Sequence, residues 1–334
     1  MADEIEVEKL SKQQLKNIVR PIVISQGNKY IKELLRDNGI KIGTTKADFA
    51  SNIDDAIESG DLTQPMLEDW LSKIDGWGNQ HVYLFSPPEI PFTDLSNKIA
   101  ASPKTDLLGK EVSYDFPDNL TLTSIALSAA RLSMTWHRGN GRWLRAKSKD
   151  RRRTISGDLY EFRAYRERYD RSAVRFEWQT ADPYCSIFIQ LPNDKDVHKD
   201  ALKQVWQDLK DAGIADEALT KISLSEAFKN LTRHGNIEVR ATRMMTHGGH
   251  VDPVATLAEG GIKDVEAVRH VRTGVNDDEF TSADGTFNFT TDDIAGLTTS
   301  VKLQGYGSES RLRVWVQCER NDIYLLIKEI WDNN

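Results

Sequence analysis

Fourteen Lys and Arg residues fall between Arg131 and Arg175, and only five Asp and Glu residues accompany them. This segment therefore carries a net charge of +9 in a chain whose formal net charge is −7. Six aromatic residues lie among the cations, at positions Trp136, Trp143, Tyr160, Phe162, Tyr165 and Tyr169. Clustered Lys and Arg neutralise phosphates, and interleaved rings stack on bases, so the segment indicates a polyanion-binding surface.

A non-catalytic DNA-binding protein is the function that these residues favour, with double-stranded DNA as the expected partner. The sequence Gly139-Asn140-Gly141 is predicted to form a hairpin turn, because these residues accept positive φ angles. Trp143 is expected to stack on a base or to wedge between bases. The residues of this segment expected to contact nucleic acid are Arg138, Arg142, Trp143, Arg145, Lys147, Lys149, Arg151, Arg152, Arg153 and Arg163.

Two groups of residues offer catalytic alternatives. His247, His250 and Asp252 could bind a metal ion in a hydrolase, but their spacing matches no established site, and a loop with exposed imidazoles is favoured. Asp158 and Glu161 could serve a nuclease, but Arg163 stands where a catalytic Lys is expected, which favours pairing of these acids with neighbouring Arg. No catalytic residue, metal ion or cofactor is therefore predicted, and the chain is interpreted as a non-enzyme.

A protein-interaction subunit of a larger complex is the remaining alternative. In that interpretation the basic segment binds an acidic protein. Residues 233–334 contain sixteen carboxylates and eleven Lys or Arg, and this acidic region, or the helical N-terminal region, would contact another protein or a second copy. Charge segregation alone does not distinguish a protein partner from DNA.

The overall composition is that of an ordinary globular protein, with 39% hydrophobic and 28% charged residues. No apolar run reaches the roughly 20 residues of a membrane-spanning helix, and the acidic N-terminus lacks the pattern of a secretory signal. Cys185 and Cys318 are the only cysteines, which excludes an intramolecular disulfide framework. A cytoplasmic or nuclear protein that does not enter a membrane is expected.

The fold class predicted from hydrophobic periodicity is α+β. Residues 1–85 show apolar residues at helical spacing and are predicted to form a small helical bundle. Three prolines within 86–92 mark a domain boundary. Residues 93–232 are predicted to form a basic α+β domain, and residues 233–334 a smaller, acidic α+β domain that ends in a β-hairpin.

The sheet of the predicted central domain follows from alternation of apolar and polar residues. Leu132, Met134 and Trp136 alternate with polar neighbours, and 174–178 and 185–191 show the same pattern. One face is therefore expected to be apolar and covered by helices, including one over 197–211. The opposite face, with Arg175, Glu177 and Gln179, is expected to be wet and basic.

The segment 30–57 resembles the SAP-type helix-extension-helix motif: a Leu-Leu helix, then Gly-Ile, a short extension with Gly-Thr-Thr-Lys, and a second helix. Members of that family commonly bind DNA. The resemblance implies that Lys41, Thr45 and Lys46 lie at the DNA-facing connection, where the N-terminus of the second helix favours a phosphate. The order of elements along the whole chain is similar to that of the centromere protein N family, which binds nucleosomal DNA through a basic face.

Overall fold

The computed structural model describes residues 10–110, 112–190, 195–233, 237–246, 249–251 and 280–334, with the backbone alone at 140–144, 166–170, 195, 233, 246, 250–251 and 280–281. The N-terminal region is helical, as predicted. A π-helical stretch, Leu15–Val19, precedes Pro21, which lies in the first turn of the helix that follows. The helices are α1 (Lys12–Gln14), α2 (Arg20–Ser25), α3 (Asn28–Asp37), α4 (Lys46–Ser59) and α5 (Gln64–Ile74).

A ten-stranded antiparallel sheet follows the bundle, so the predicted α+β class is confirmed. The strands appear in the spatial order β2-β3-β6-β7-β1-β12-β11-β10-β8-β9, and β4 pairs with β5 in a separate two-stranded sheet. Their bounds are β1 (Gln80–Phe85), β2 (Thr121–Leu127), β3 (Arg131–Arg145), β4 (Arg151–Ile155), β5 (Asp158–Phe162), β6 (Tyr165–Gln179), β7 (Cys185–Ile189), β8 (Glu238–Thr246), β9 (Gly249–Val251), β10 (Phe280–Phe289), β11 (Val301–Tyr306) and β12 (Arg311–Val314).

Strand β1 lies at the centre of this sheet and joins two antiparallel meanders. It pairs with β7 of the first meander, which consists of β2, β3, β6 and β7. On its other edge it pairs with β12 of the second meander, which consists of β8 to β12. The predicted boundary over 86–92 begins directly after β1, and the predicted boundary at 232–233 falls between the two meanders. Both predicted divisions therefore cut one continuous sheet, because β1 needs a hydrogen-bonded partner on each of its edges.

The first meander is covered by α6 (Leu95–Ala100) and α7 (Lys195–Asp211). As predicted, Met134, Trp136 and Phe176 face this helical layer, and they are fully buried together with Val205 and Leu209 of α7. The indole N–H of Trp136 donates to Asp208 Oδ2 at 2.7 Å, so α7 is fixed to the sheet by a buried polar contact as well as by apolar packing.

The second meander buries its opposite face, under α8 (Ser225–Arg233) and α9 (Arg320–Asp332). The predicted terminal β-hairpin is wrong, because the chain ends in helix α9. Ile323, Leu326, Ile327 and Ile330 recur at helical spacing and are all buried, and Glu319 and Asp322 form a capping box at the start of the helix. The uninterrupted apolar residues 323–327 led to the prediction of a strand, whereas the spacing of the buried residues over 323–330 is that of a helix.

The prediction that one face of the first meander is basic and exposed to water is also wrong, because helices cover both faces of this meander. Only 11% of the Arg175 side chain and 3% of the Glu177 side chain are exposed. The Arg175 guanidinium lies over the Trp77 ring at 4.4 Å and donates to Asp75 O at 3.2 Å, while Glu177 Oε2 accepts from the Tyr324 hydroxyl at 3.0 Å. The end of α5 and helix α9 therefore cover the face that alternation predicted to be in water.

No helix in the described part of the chain is long and apolar enough to cross a membrane.

Candidate nucleic-acid interface

The hairpin of β3 and β6 extends past the rest of the sheet. Its strands pair from Arg131↔Gln179 out to Arg145↔Tyr165, whereas β2 reaches only to His137 and β7 only to Val174. Residues 139–171, which we call the arm, therefore form a two-stranded extension that ends in the β4–β5 ribbon. At about 3.3 Å per residue, the seven residues of β3 in the arm are roughly 23 Å long and the five of β4 roughly 17 Å. It contains eleven of the cations and all five carboxylates of the basic segment, a net charge of +6.

The base of the arm is fixed to the helical bundle. Arg171 forms an ion pair with Asp75, the C-cap residue of α5, and donates to Ser113 O at 2.5 Å. The Arg171 side chain is only 6% exposed. Although burial favours the neutral acid, the Arg171 guanidinium holds the pKa of the Asp75 carboxyl below its usual value. Arg171 therefore anchors the arm and is not available to a phosphate.

A glycine allows the segment before β2 to cross the arm at its base. The Gly139 N–H donates to Pro117 O at 2.7 Å, and a Cβ at position 139 would lie 3.1 Å from Phe116 O. Gly139, Asn140 and Gly141 all lie inside β3, so the hairpin turn predicted there is wrong. The turn lies at Ser156 and Gly157, whose φ angles of 53° and 93° are those of a two-residue hairpin turn.

A joint separates the arm's inner half from the β4–β5 ribbon. Arg145 binds both carboxylate oxygens of Asp150, with Nη2 at 2.6 Å from Oδ2, and Asp150 Oδ1 also accepts from the Ala164 N–H at 2.9 Å. Hydrogen bonding from Arg145 lowers the pKa of Asp150 to about 2. These contacts, which we call the staple, hold the turn Lys147–Lys149 against the opposite strand. Arg145 was predicted to contact nucleic acid, but its guanidinium is engaged in the staple.

The ribbon beyond the staple is exposed on both faces, since every residue of β4 and β5 is exposed. Of the eight large apolar or aromatic side chains that are most exposed in the described part of the chain, five lie in or beside this ribbon. They are Ile155 (44% exposed), Leu159 (69%), Tyr160 (47%), Phe162 (48%) and Tyr165 (52%). A group of neighbouring exposed apolar side chains, unlike a single one, marks an interaction site, so the ribbon is the strongest candidate binding surface in the described chain.

Most of the predicted contact residues with described side chains lie on the exposed part of the arm. No carboxylate within the described residues forms an ion pair with Arg151, Arg152 or Arg153, and Arg163 lies 3.9 Å from Glu161 with 64% of its side chain exposed. Arg142 and Trp143 lie in β3, and their side chains are outside the described part. The predicted cations that are exposed on or beside the arm are Arg138, Lys147, Lys149, Arg151, Arg152, Arg153 and Arg163.

The SAP-like segment has two helices joined by an extended connection, and two of its three predicted contact residues, Thr45 and Lys46, have structural roles. Thr45 caps α4, and the N–H groups of Thr44 and Thr45 donate to the Asp48 carboxylate at 2.9 and 2.8 Å. These hydrogen bonds lower the pKa of Asp48 to about 2. Lys46 donates to the Ile24 and Gln26 carbonyl oxygens, both at 2.5 Å, and Lys41 is exposed. The helix N-terminus expected to hold a phosphate already holds a carboxylate of the same chain.

The catalytic alternatives receive no support from the described residues. His247 and Asp252 lie outside them, as does the side chain of His250. Asp158 and Glu161 are three residues apart on β5, so their side chains point to opposite faces of the ribbon and cannot converge on one metal ion. Within the described part of the chain, no group of three or more His, Cys, Asp or Glu side chains could hold a metal ion.

Sequence reasoning identified the cations and rings of the arm but missed how they are presented. The signal was available in the Ser156-Gly157 pair between two five-residue strand-like segments, which is typical of a tight hairpin. No protein-family model matches this chain, and no curated protein matches it.

Proposed function

We propose that this protein is a non-catalytic DNA-binding protein and that the arm is the part that contacts DNA. The observation that carries the proposal is the exposed ribbon with Arg151, Arg152 and Arg153, which no described carboxylate neutralises. These cations do not stabilise the fold through ion pairs. Their desolvation cost is also low, because they already lie in water and would meet phosphates at the surface.

The shape of the arm supports the same proposal. A two-stranded ribbon exposed on both faces can contact the phosphates of a single strand, and it is also one of the elements that the major groove of B-DNA, about 12 Å wide, can admit. The remainder of the chain outside residues 139–171 carries a net charge of −13, so it repels DNA while the arm attracts it. This charge separation would orient the protein with the arm toward the DNA before contact.

The test is a salt series of DNA binding by the full chain and by the variant Arg151→Glu/Arg152→Glu/Arg153→Glu. Fluorescence anisotropy with a labelled 20-base-pair duplex gives the dissociation constant at each salt concentration. We expect the wild-type affinity to fall by roughly 0.9 log unit per log unit of salt for each phosphate contacted. We expect the triple variant to bind at least about tenfold more weakly to every sequence, with a shallower slope.

The matched control makes the same change of charge elsewhere: Lys98→Glu/Lys199→Glu/Lys203→Glu. Lys199 and Lys203 are 71% and 79% exposed on α7, and Lys98 is exposed on α6. If the proposal is correct, this control binds DNA within about threefold of the wild type. Equal loss of affinity in both triple variants would show that net charge alone governs binding and would remove the role of the arm.

A protein partner is distinguished by capture before and after nuclease treatment. Under the proposal, material retained by the full chain is lost once nucleic acid is digested. Retention of a protein that survives digestion, and that depends on Arg151, Arg152 and Arg153, would favour the interaction-subunit interpretation instead.

A further inference from the structure

The two faces of the β4–β5 ribbon differ in composition, as the strand register shows. Cross-strand partners in an antiparallel pair point to the same face, and successive residues alternate between faces. Arg151 lies opposite Phe162, Arg153 opposite Tyr160, and Ile155 opposite Asp158. These six residues share one face, which we call the ring face. The other face carries Arg152 opposite Glu161 and Thr154 opposite Leu159.

The ring face alternates cations with aromatic rings. Each of its two arginines stands beside a ring on the neighbouring strand, and directly opposite Cβ atoms in such pairs are about 5 Å apart. Tyr160 and Phe162 are two residues apart on β5, so their Cα atoms are roughly 6.5 Å apart and both side chains lie on the same face. On the other face the cation Arg152 has the carboxylate of Glu161 as its cross-strand neighbour. The ring face is therefore the one with excess positive charge and with exposed rings.

Exposed rings beside unpaired cations match the chemistry of a nucleic acid whose bases are accessible. Every base has a flat face that stacks on an aromatic ring, whereas in a closed duplex those faces are covered by neighbouring bases. The spacing of cation and ring on the ring face would allow a base to stack while an adjacent phosphate contacts a guanidinium.

A membrane surface fits the ribbon less well. The outermost pair of the ring face is Ile155 and Asp158, next to the Ser156-Gly157 turn. Insertion into lipid would take this carboxylate into the hydrocarbon first, at a large cost in desolvation. The core of a protein interface is also depleted in charged residues, whereas the ring face has two arginines and one carboxylate among six residues.

We propose that the ring face binds unpaired bases of single-stranded DNA, with Tyr160 and Phe162 as stacking platforms and Arg151 and Arg153 as phosphate contacts. This inference rests on the proposed function and specifies its substrate. The arm would then prefer single strands or opened duplexes to closed duplexes, and it would do so without strong preference for base sequence.

The test compares three probes of equal length in the full chain: an oligothymidine 20-mer, its duplex with oligodeoxyadenosine, and an abasic 20-mer that keeps the phosphates. We expect the wild type to bind the thymidine strand at least about tenfold more tightly than the abasic strand, because only the former can stack. Tyr160→Ala/Phe162→Ala should lose this advantage and bind both strands equally. Its salt dependence should be unchanged, since no cation is removed.

The ribbon supplies matched controls on both of its faces. Leu159→Ala removes the most exposed apolar side chain of the ribbon and should leave all three affinities within about twofold. Tyr160→Phe keeps a ring and should bind like the wild type. Arg151→Gln should weaken binding of the thymidine strand more than Arg152→Gln does, since only Arg151 shares a face with the rings.

The failures of the two proposals are distinguishable. If the triple Glu variant loses DNA while Tyr160→Ala/Phe162→Ala binds the thymidine strand like the wild type, DNA binding stands and stacking is overturned. Equal loss in Leu159→Ala, or equal affinity of the wild type for thymidine and abasic strands, also overturns stacking. Binding to vesicles containing 30% phosphatidylserine that is tighter than binding to the thymidine strand, and is lost in the ring variant, would identify a membrane surface as the ligand.

Discussion

Arg145, Arg171 and Arg175 belong to the same cationic segment as Arg151, and their contacts within the protein give them a different role. Arg171 and Arg175 are held at the base of the arm by Asp75 and Trp77, and Arg145 is held at the joint by Asp150. A guanidinium that has left water must find acceptors within the protein, because an unpaired buried charge is costly. Among the described residues, the chain supplies such acceptors to these three arginines, whereas Arg151, Arg152 and Arg153 form no ion pair. The exposed cations Arg151, Arg152 and Arg153 are therefore accessible to an anion outside the protein.

The staple should contribute its full stability at pH values above the ordinary Asp150 pKa of 3.8 and lose it as the pH falls toward 2. A carboxyl whose pKa is lowered on folding adds stability at pH values above its ordinary pKa, and this contribution is lost as the pH falls through the folded value. For Asp150 that value is about 2. We expect the Asp150 carboxyl carbon to titrate near pH 2 in an NMR experiment, with the Ala164 amide proton still protected from exchange at pH 4.

Arg145→Ala is the control, because it removes the partner that contributes most to this pKa. In that variant the midpoint of Asp150 should move up toward 3.8 and the Ala164 amide should exchange faster. A wild-type midpoint near 3.8 would show that the staple does not form in solution.

As an element, the arm is stable for reasons different from those of the sheet. A two-stranded ribbon with no covered face is at best marginally stable alone in water. The arm gains order from its base, where Arg171 and Gly139 contact the segment 112–117, and from the staple at its joint. No residue of 146–164 belongs to any of the three hydrophobic clusters in the described part of the chain. The ribbon can therefore be removed without opening the core.

Replacing residues 147–163 with the dipeptide Asn-Gly should abolish DNA binding and preserve the fold. Ala146 N donates to Ala164 O at 2.9 Å, so these two residues are already placed for a two-residue hairpin turn. We expect the free energy of unfolding to change by less than about 1 kcal/mol, because the residues removed are exposed except Asp150, whose hydrogen bonds to Arg145 and Ala164 lie at the joint and outside the core. The affinity for DNA should fall at least about 100-fold, since six exposed cations leave with the ribbon. Urea unfolding followed by circular dichroism, together with anisotropy titrations, measures both.

Retained DNA affinity in a folded deletion variant would contradict the assignment of the interface to the ribbon. A substantial loss of stability would instead show that the ribbon packs against the rest of the protein, contrary to the exposure of β4 and β5.

At the scale of the whole molecule, the helical bundle and both meanders pack together at the start of β1. The Trp77-Gly78-Asn79 sequence leads from α5 into β1, and Asn79 N donates to Val316 O at 3.1 Å. Gly78 has a φ angle of 75°, and a Cβ there would lie 2.2 Å from Val316 O. Trp77 stacks edge to face with Phe188 and Tyr324, whose ring centroids are 5.1 and 5.7 Å away. Residues from all three predicted regions thus complete one packing unit.

Unfolding should therefore be a single cooperative transition. We expect tryptophan fluorescence, to which Trp77 and Trp136 in separate clusters contribute among the eight tryptophans, to give the same urea midpoint as far-UV circular dichroism. A fragment of residues 93–334 should fail to fold cooperatively, because without β1 the strands β7 and β12 each lose a central partner. Two separate midpoints, or a stable 93–334 fragment, would show that the predicted domain boundary at 86–92 divides independent folding units.

The sequence by itself determined which segments become helices and strands across most of the described chain. Alternation in β3, β6 and β7 and helical spacing in α3, α4, α5 and α7 set the α+β class, because each apolar face must be buried against another element. The sequence also located the excess positive charge. Its errors at 139–141 and 323–331 came from local signals, a Gly-Asn-Gly triplet and an apolar run, that suit two structures equally well.

Only the tertiary structure decided which cations remain in water and which rings accompany them. Arg175 and Arg151 both lie in strand-forming segments of the same cationic stretch. The positions of α5 and α9 bury Arg175, whereas the β4–β5 hairpin places Arg151 in water, away from the core. Burial depends on elements distant along the chain, which the periodicity of one strand does not specify. The strand register then placed Tyr160 and Phe162 beside Arg153 and Arg151, because cross-strand neighbours are fixed by the turn at Ser156-Gly157.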